Sequence, residues 1–238
     1  VVLVTGANKG IGYSTAGALG RMGHEVLVGA RDAGRGEEAA RSLRSGGLAA
    51  TFVVLDVTSD EQVKAAEAWI RERYGRLDIL VNNAAVKLEF HPSPPSECPI
   101  EMVRETFETN VVGTIRMIQT MLPLLRLSAG ARIVNVSSGL GSLALATTPG
   151  TKYIERPLLS YNTAKSALNS VTVQFANELR ATAIKINAVD PGFTNTDMTK
   201  GAGSRSAAWA AAVVVRLATI GPDGPTGGFF DEAGPVPW

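Results

Sequence analysis

Cysteine is almost missing from this chain: its 238 residues include one, Cys98, so no internal disulfide can form and a reducing, cytosolic setting is expected. Histidine is nearly as scarce. His24 and His91 lie far apart with no zinc-ligand spacing around them, so no metal is expected. No apolar run approaches the roughly 18 residues of a membrane span, which excludes a helical membrane protein. Neither charge sign is in excess: 23 basic and 22 acidic residues leave a net +1, and no basic stripe announces nucleic acid. The chain opens directly on Val1-Val2-Leu3-Val4, and from that start no secretory leader is expected.

What the chain has is a rhythm. Short β-branched runs at Val1–Thr5, Glu25–Ala30, Thr51–Leu55, Leu77–Asn82, Arg132–Ser137 and Ile184–Val189 read as strands, with Gly228–Phe230 as a short last one. Between them, Ile11–Met22, Ala33–Leu43, Asp60–Tyr74, Met102–Leu125 and Ser160–Leu179 read as helices, with Ser59 as an N-cap. Strands alternating with helices of this length mean βαβ units. The expected fold is α/β: one doubly wound (Rossmann) domain over residues 1–238, with a central, mostly parallel sheet of about seven strands and helices on both faces. Three segments break the rhythm: proline-rich Val86–Ile100, Gly139–Leu158, and Phe193–Ala207. All follow strand ends, so all are expected to rim one face of the sheet, where ligands bind. The region of about 193–220 is expected to be a variable substrate loop.

The first strand runs into Thr5-Gly6-Ala7-Asn8-Lys9-Gly10-Ile11-Gly12, with glycines spaced G-x-x-x-G-x-G and a helix following. Glycine permits the tight turn and lets backbone N–H groups approach a pyrophosphate, and the helix N-terminus adds partial positive charge. Tyr161 and Lys165 stand four apart on a predicted helix and share a face.

Thr5–Gly12 resembles the nucleotide-binding turn of the short-chain dehydrogenase/reductases. Further blocks follow in that family's order: Asp56-Val57, Asn82-Asn83-Ala84, Asn110 within Thr109–Gly113, Ser137-Ser138, Tyr161 with Lys165, and Pro191-Gly192. The Asn-Lys-Gly turn, Ala30-Arg31-Asp32 and the Gly-Phe-Phe tail look most like the carbonyl-reductase-like branch. The resemblance implies an NADP(H)-dependent oxidoreductase that moves a hydride to or from the carbonyl carbon of a small ketone, aldehyde or quinone. It assigns catalysis to Ser138, Tyr161, Lys165 and Asn110, with Asn110 joining a proton relay near Lys165. It assigns cofactor binding to Gly6, Asn8, Lys9, Gly10, Ile11, Gly12, Arg31, Asp56, Val57, Asn83, Ala84, Tyr161, Lys165, Pro191, Gly192, Thr194 and Thr196. By family register Ser138, not Ser137, faces the substrate.

The chemistry suits these residues. A carbonyl taking a hydride needs a proton, and a phenol with an ordinary pKa near 10 can supply it; a nearby lysine ammonium is expected to lower that value. Ser138 is expected to steady the developing alkoxide. NADPH is expected over NADH, because Ala30 stands where NAD sites place a carboxylate, and Arg31 and Lys9 offer a 2′-phosphate two cations. Asp32 is expected to begin the next helix. Three departures from the family stand out. Ala85 replaces a glycine, Thr194 replaces an apolar residue, and an extra segment near Thr147–Pro157 separates Ser138 from Tyr161 and must loop out. That segment is expected to cover part of the helical face through which family members pair, which favours a monomer. The alternatives are a non-catalytic nucleotide-binding regulator, expected to have lost a catalytic residue, and an epimerase or dehydratase, expected to carry a larger C-terminal substrate domain.

Overall fold

The computed structural model describes residues Val1–Trp238. Its strands are β1 (Val2–Thr5), β2 (Val26–Ala30), β3 (Ala50–Val54), β4 (Ile79–Asn82), β5 (Arg132–Val136), β6 (Lys185–Val189) and β7 (Phe229–Phe230). All pair in parallel, in the order β3-β2-β1-β4-β5-β6-β7. The helices are α1 (Gly10–Arg21), α2 (Ala33–Ser45), α3 (Asp60–Tyr74), α4 (Ile100–Phe107), α5 (Gly113–Leu125), α6 (Leu143–Thr147), α7 (Leu159–Leu179) and α8 (Ala207–Ala218).

The strands are apolar on both faces because helices cover both. Val2 and Val4 of β1 pack with Ala16 and Leu19 of α1, Leu43 of α2, and Val213, Val214 and Leu217 of α8. Leu3, between them, points the other way, into a core with Ile70 of α3, Met117, Met121 and Leu125 of α5, and Leu179 of α7. Alternate residues of one strand thus nucleate two separate cores, as the period of two requires. Capping marks the helix starts as expected: Asp32 accepts from Arg35 N at 2.9 Å and Ser59 from Gln62 N at 3.2 Å. None of the helices is long and apolar enough to cross a membrane.

Two expectations are corrected. The single helix expected over Met102–Leu125 starts at Ile100 and is interrupted by a π-helical stretch, Glu108–Val112, that separates α4 from α5. Such π-bulges are frequent at functional sites, and Asn110 lies inside this one. The variable region expected at about 193–220 is irregular only in its first part. Ala207–Ala218 form α8, capped by Ser206, whose side chain accepts from Trp209 N, and its Val213, Val214 and Leu217 belong to the core.

The sheet's order turns at β1, which has β2 on one side and β4 on the other. Doubly wound sheets bind ligands outside the carboxyl ends of their strands at such a switch point.

Candidate active site

A cleft of about 1080 Å³ opens at that point, lined from the ends of β1 to β6. Every residue expected at the site lines it except Gly12 and Asn110, which sit beneath its walls. The glycine turn forms one end. Gly6 and Gly10 have φ of 64° and 57°, in the region that favours glycine. A Cβ on Gly12 would fall 2.5 Å from Asn83 Nδ2 and 2.7 Å from Gly6 O, so the turn closes on β4 only with glycine there. Lys9, at the N-cap of α1, caps nothing with its side chain, and no intramolecular acceptor takes the N–H groups of Gly10, Ile11 or Gly12. Unpaired helix N-terminal donors on a cleft fit a pyrophosphate. These residues fit a dinucleotide, with Asn8 and Ile11 beside the turn and Asp56 and Val57 at the end of β3.

Several polar groups of the residues expected at the cofactor are engaged within the protein. Asn83 Nδ2 donates to Thr5 O at 2.9 Å and Gly6 O at 3.2 Å, tying β4 to the turn, and Ala84 N donates to Thr5 Oγ1. Thr194 Oγ1 donates to Pro191 O and Gly192 O. These residues shape the cleft, and what they present to it is backbone. Lys9 is not free either: its Nζ lies 2.6 Å from Asp197 Oδ2. Arg31, exposed on the cleft beside Ala30, forms no ion pair, whereas Arg35 is paired with Asp32. Thr196 caps the short turn Asp197–Thr199, with its methyl against Gly10.

The other end carries the chemistry. Ser138 leaves β5 in extended conformation, and its Oγ accepts from Leu140 N at 3.2 Å. Ser137 turns away from the cleft to Asn169 Oδ1, 2.6 Å off, so Ser138 alone of the pair is free to face a ligand. Tyr161, in the first turn of α7, lines the cleft together with Ser138. Lys165, one turn on, lies with Nζ 5.6 Å from the Tyr161 ring centre and 2.7 Å from Val136 O.

Burial dominates the electrostatics. It pushes the Tyr161 phenol well above its ordinary range; the Asp190 carboxylate adds to this, and the Ser138 hydrogen bond opposes it. The lowering by lysine expected from sequence is not what the structure shows: burial raises the phenol instead. Burial also pulls Lys165 down to about 8, against the attraction of Asp190. A group with a depressed ammonium pKa leaves the unfolded chain holding more protons than the folded one, so stability rises with pH between about 8 and the ordinary lysine value. Below about pH 10 tyrosine ionisation does not interfere. Thermal melts between pH 8 and 10 are therefore expected to show the wild-type protein gaining on Lys165→Met; parallel curves would remove the buried-ammonium assignment.

Asn110 is fully buried, and its side chain is consumed: Oδ1 accepts from Val86 N at 2.8 Å and Nδ2 donates to Val86 O at 2.9 Å. The side chain staples the segment after β4, and the Asn110 main-chain carbonyl, inside the π turn, accepts from Thr114 Oγ1.

Four residues were not singled out in the sequence. Asp190 stands between β6 and Pro191, accepts from Gly192 N at 2.9 Å, and faces Tyr161 and Lys165. Glu89 is buried and accepts at Oε2 from Ser160 Oγ (2.6 Å) and Tyr161 N (3.0 Å). It thereby caps α7, whose own N-cap residue, Leu158, offers no side chain. Tyr153 and Arg156 come from the extra segment, which was expected to loop out; instead it folds back and lines the cleft, with the Tyr153 ring against Gly139. For Glu89→Ala the expected loss is about 1–2 kcal/mol, as for a missing cap, or a few degrees of Tm, together with reduced kcat as Tyr161 loses its anchor. Glu89→Gln, which can still accept, is expected to recover part of both. Unchanged Tm and kcat in Glu89→Ala would show that the cap does not position Tyr161.

Comparison with known proteins gives the arrangement a lineage. A family model described as short chain dehydrogenase matches residues 1–207. The chain is 40% identical over 227 residues to the short-chain dehydrogenase anuI of Penicillium roqueforti, covering 93% of this chain and 89% of that one. It is 30% identical over 276 residues to carbonyl reductase [NADPH] 1 of Mus musculus, covering 100% and 98%. Among solved structures it resembles an NADPH-bound carbonyl reductase from chicken fatty liver, with a TM-score of 0.87 and 27% identity over 100% of this chain and 98% of that one. It also resembles salutaridine reductase from Papaver somniferum, with a TM-score of 0.82 and 29% identity over 97% and 99%.

Proposed function

The chain belongs to the short-chain dehydrogenase family, an oxidoreductase family, and on that premise we propose that it is an NADP(H)-dependent carbonyl reductase with Tyr161 as its general acid. The observation that carries this is the meeting of Ser138, Tyr161 and Lys165 in the same cleft that holds the uncapped glycine turn. When bound, NADPH supplies two electrons as a hydride to the carbonyl carbon. The carbonyl π pair moves to oxygen, Ser138 Oγ hydrogen-bonds that oxygen, and Tyr161 Oη gives it a proton. A phenol carries its proton at neutral pH, as reduction requires. The phenolate left behind lies beside the Lys165 ammonium, which stabilises it. A non-catalytic regulator would have no use for this retained group.

Ala30 and Arg31 support the choice of NADPH. Ala30 brings no carboxylate to the end of β2, and Arg31 is a cation without a carboxylate partner. The Lys9–Asp197 pair is exposed and weak in water, so a phosphate can compete for Lys9. The test is consumption of NADPH and NADH in the presence of a panel of ketones, aldehydes and quinones. Reduction of at least one carbonyl, with NADPH strongly preferred, is expected; consumption of neither cofactor with any member would refute the assignment.

A further inference from the structure

Eight of the 23 lysines and arginines pair with carboxylates, among them Arg104 with Glu101 and Arg44 with Glu37. Among the cleft's cations without a carboxylate partner, three act on one another. Lys87 follows β4, Arg156 precedes α7 and Lys200 follows β6; all line the cleft and none forms a salt bridge or a side-chain hydrogen bond. They lie on the β4–β6 side, the side of Ser138 and Tyr161, and not on the β2–β3 side where Arg31 serves the cofactor.

Their placement is built. Val86, next to Lys87, is stapled at both backbone atoms by the buried Asn110. Lys200 is the one non-glycine residue with positive φ, at 50°, a conformation that disfavours lysine and aims its ammonium to 4.1 Å from the Phe90 ring centre. Lys87 Nζ lies 5.7 Å from the same ring, and the Arg156 guanidinium 5.1 Å from the Phe193 ring. Burial, then repulsion from Arg156 and Lys200, holds the Lys87 ammonium below its ordinary range. Of the two carboxylates beside the catalytic group, Asp190 accepts from Gly192 N and Glu89 from Ser160 Oγ and Tyr161 N. Two aromatic rings thus carry three like charges that repel one another and have no anion.

We propose that the substrate is a carbonyl compound bearing an anionic group, held by Lys87 with Arg156 and Lys200, while an apolar spacer lies against Phe90 and Phe193 and its carbonyl meets Ser138 and Tyr161. This rests on the carbonyl-reductase assignment. Anionic substrates gain charge-assisted hydrogen bonds here that neutral analogues of the same shape lack.

The probes are 4-formylbenzoate and its methyl ester, which differ in charge at a point remote from the aldehyde. Binding of each is measured by calorimetry and reduction of each with NADPH. The carboxylate is expected to bind about tenfold more tightly than the ester, the ratio falling to near one in Lys87→Met, partly recovering in Lys87→Arg, and shrinking with added salt. Equal binding of the two by the wild-type protein, or a ratio unmoved by Lys87→Met, would overturn the anion site. Preferential binding with neither aldehyde reduced would leave the anion site standing and count against the reductase assignment alone.

Discussion

Tyr161→Phe is expected to cut turnover by about 10²–10⁴, with affinity for NADPH largely kept. The substitution retains a ring that is buried in the wall of the cleft and removes only the phenol oxygen. The other phenol on the cleft, Tyr153, is likewise pushed up by burial and stands against Gly139. Lys165→Ala is expected to damage both turnover and cofactor binding, because it removes the charge that stabilises the phenolate and opens a hole beneath it. Steady-state kinetics on any accepted carbonyl, with NADPH affinity measured by fluorescence titration, separates the two variants. Near-wild-type turnover in Tyr161→Phe would show that the proton comes from elsewhere.

Ala30→Asp is expected to reverse the cofactor preference. Ala30 ends β2 and lines the cleft, so a carboxylate there would lie where an adenosine ribose arrives. It would accept from the ribose hydroxyls of NADH and repel a 2′-phosphate; like charges juxtaposed at such range cost several kcal/mol, so the NADPH/NADH ratio of kcat/KM is expected to swing by about 10² or more. Arg31→Ala is expected to raise KM for NADPH about tenfold while moving that for NADH little, the size of one lost charge-assisted contact. Lys9→Ala should do less than Arg31→Ala, since Asp197 already engages that lysine. A wild-type protein that uses both cofactors equally would contradict all three expectations.

The sheet and most helices were legible because their causes are local. A strand covered on both faces is a continuous apolar run, and Asp32 and Ser59 announce helix starts by their own side chains. The π stretch at Glu108–Val112 was not legible, since weak helix formers such as its Thr, Asn and Val also occur in regular helices and the extra residue in the turn accompanies the tertiary bond from Asn110 to Val86. Helix α8 was passed over as loop because an alanine-rich run after a Gly/Ser/Thr segment carries little periodicity; its valines declare themselves only against α1 and β5. The site divides the same way. Glycines and the Tyr161/Lys165 spacing are visible in sequence, whereas the engagement of Asn83, Thr194 and Lys9 by their neighbours depends on contacts that sequence does not display. Glu89 and Asp190 are single carboxylates among many until the fold buries them beside α7 and β6.

Hydride transfer to a carbonyl carbon in this cleft, with Tyr161 protonating the oxygen, is tested by reducing an accepted aldehyde or ketone with NADPH carrying deuterium at the transferred position, the alcohol being examined by mass spectrometry and NMR. One deuterium bound to the carbinol carbon is expected, formed by the wild-type protein and formed far more slowly by Tyr161→Phe. An alcohol without deuterium at that carbon, or equal rates in the two proteins, would refute it.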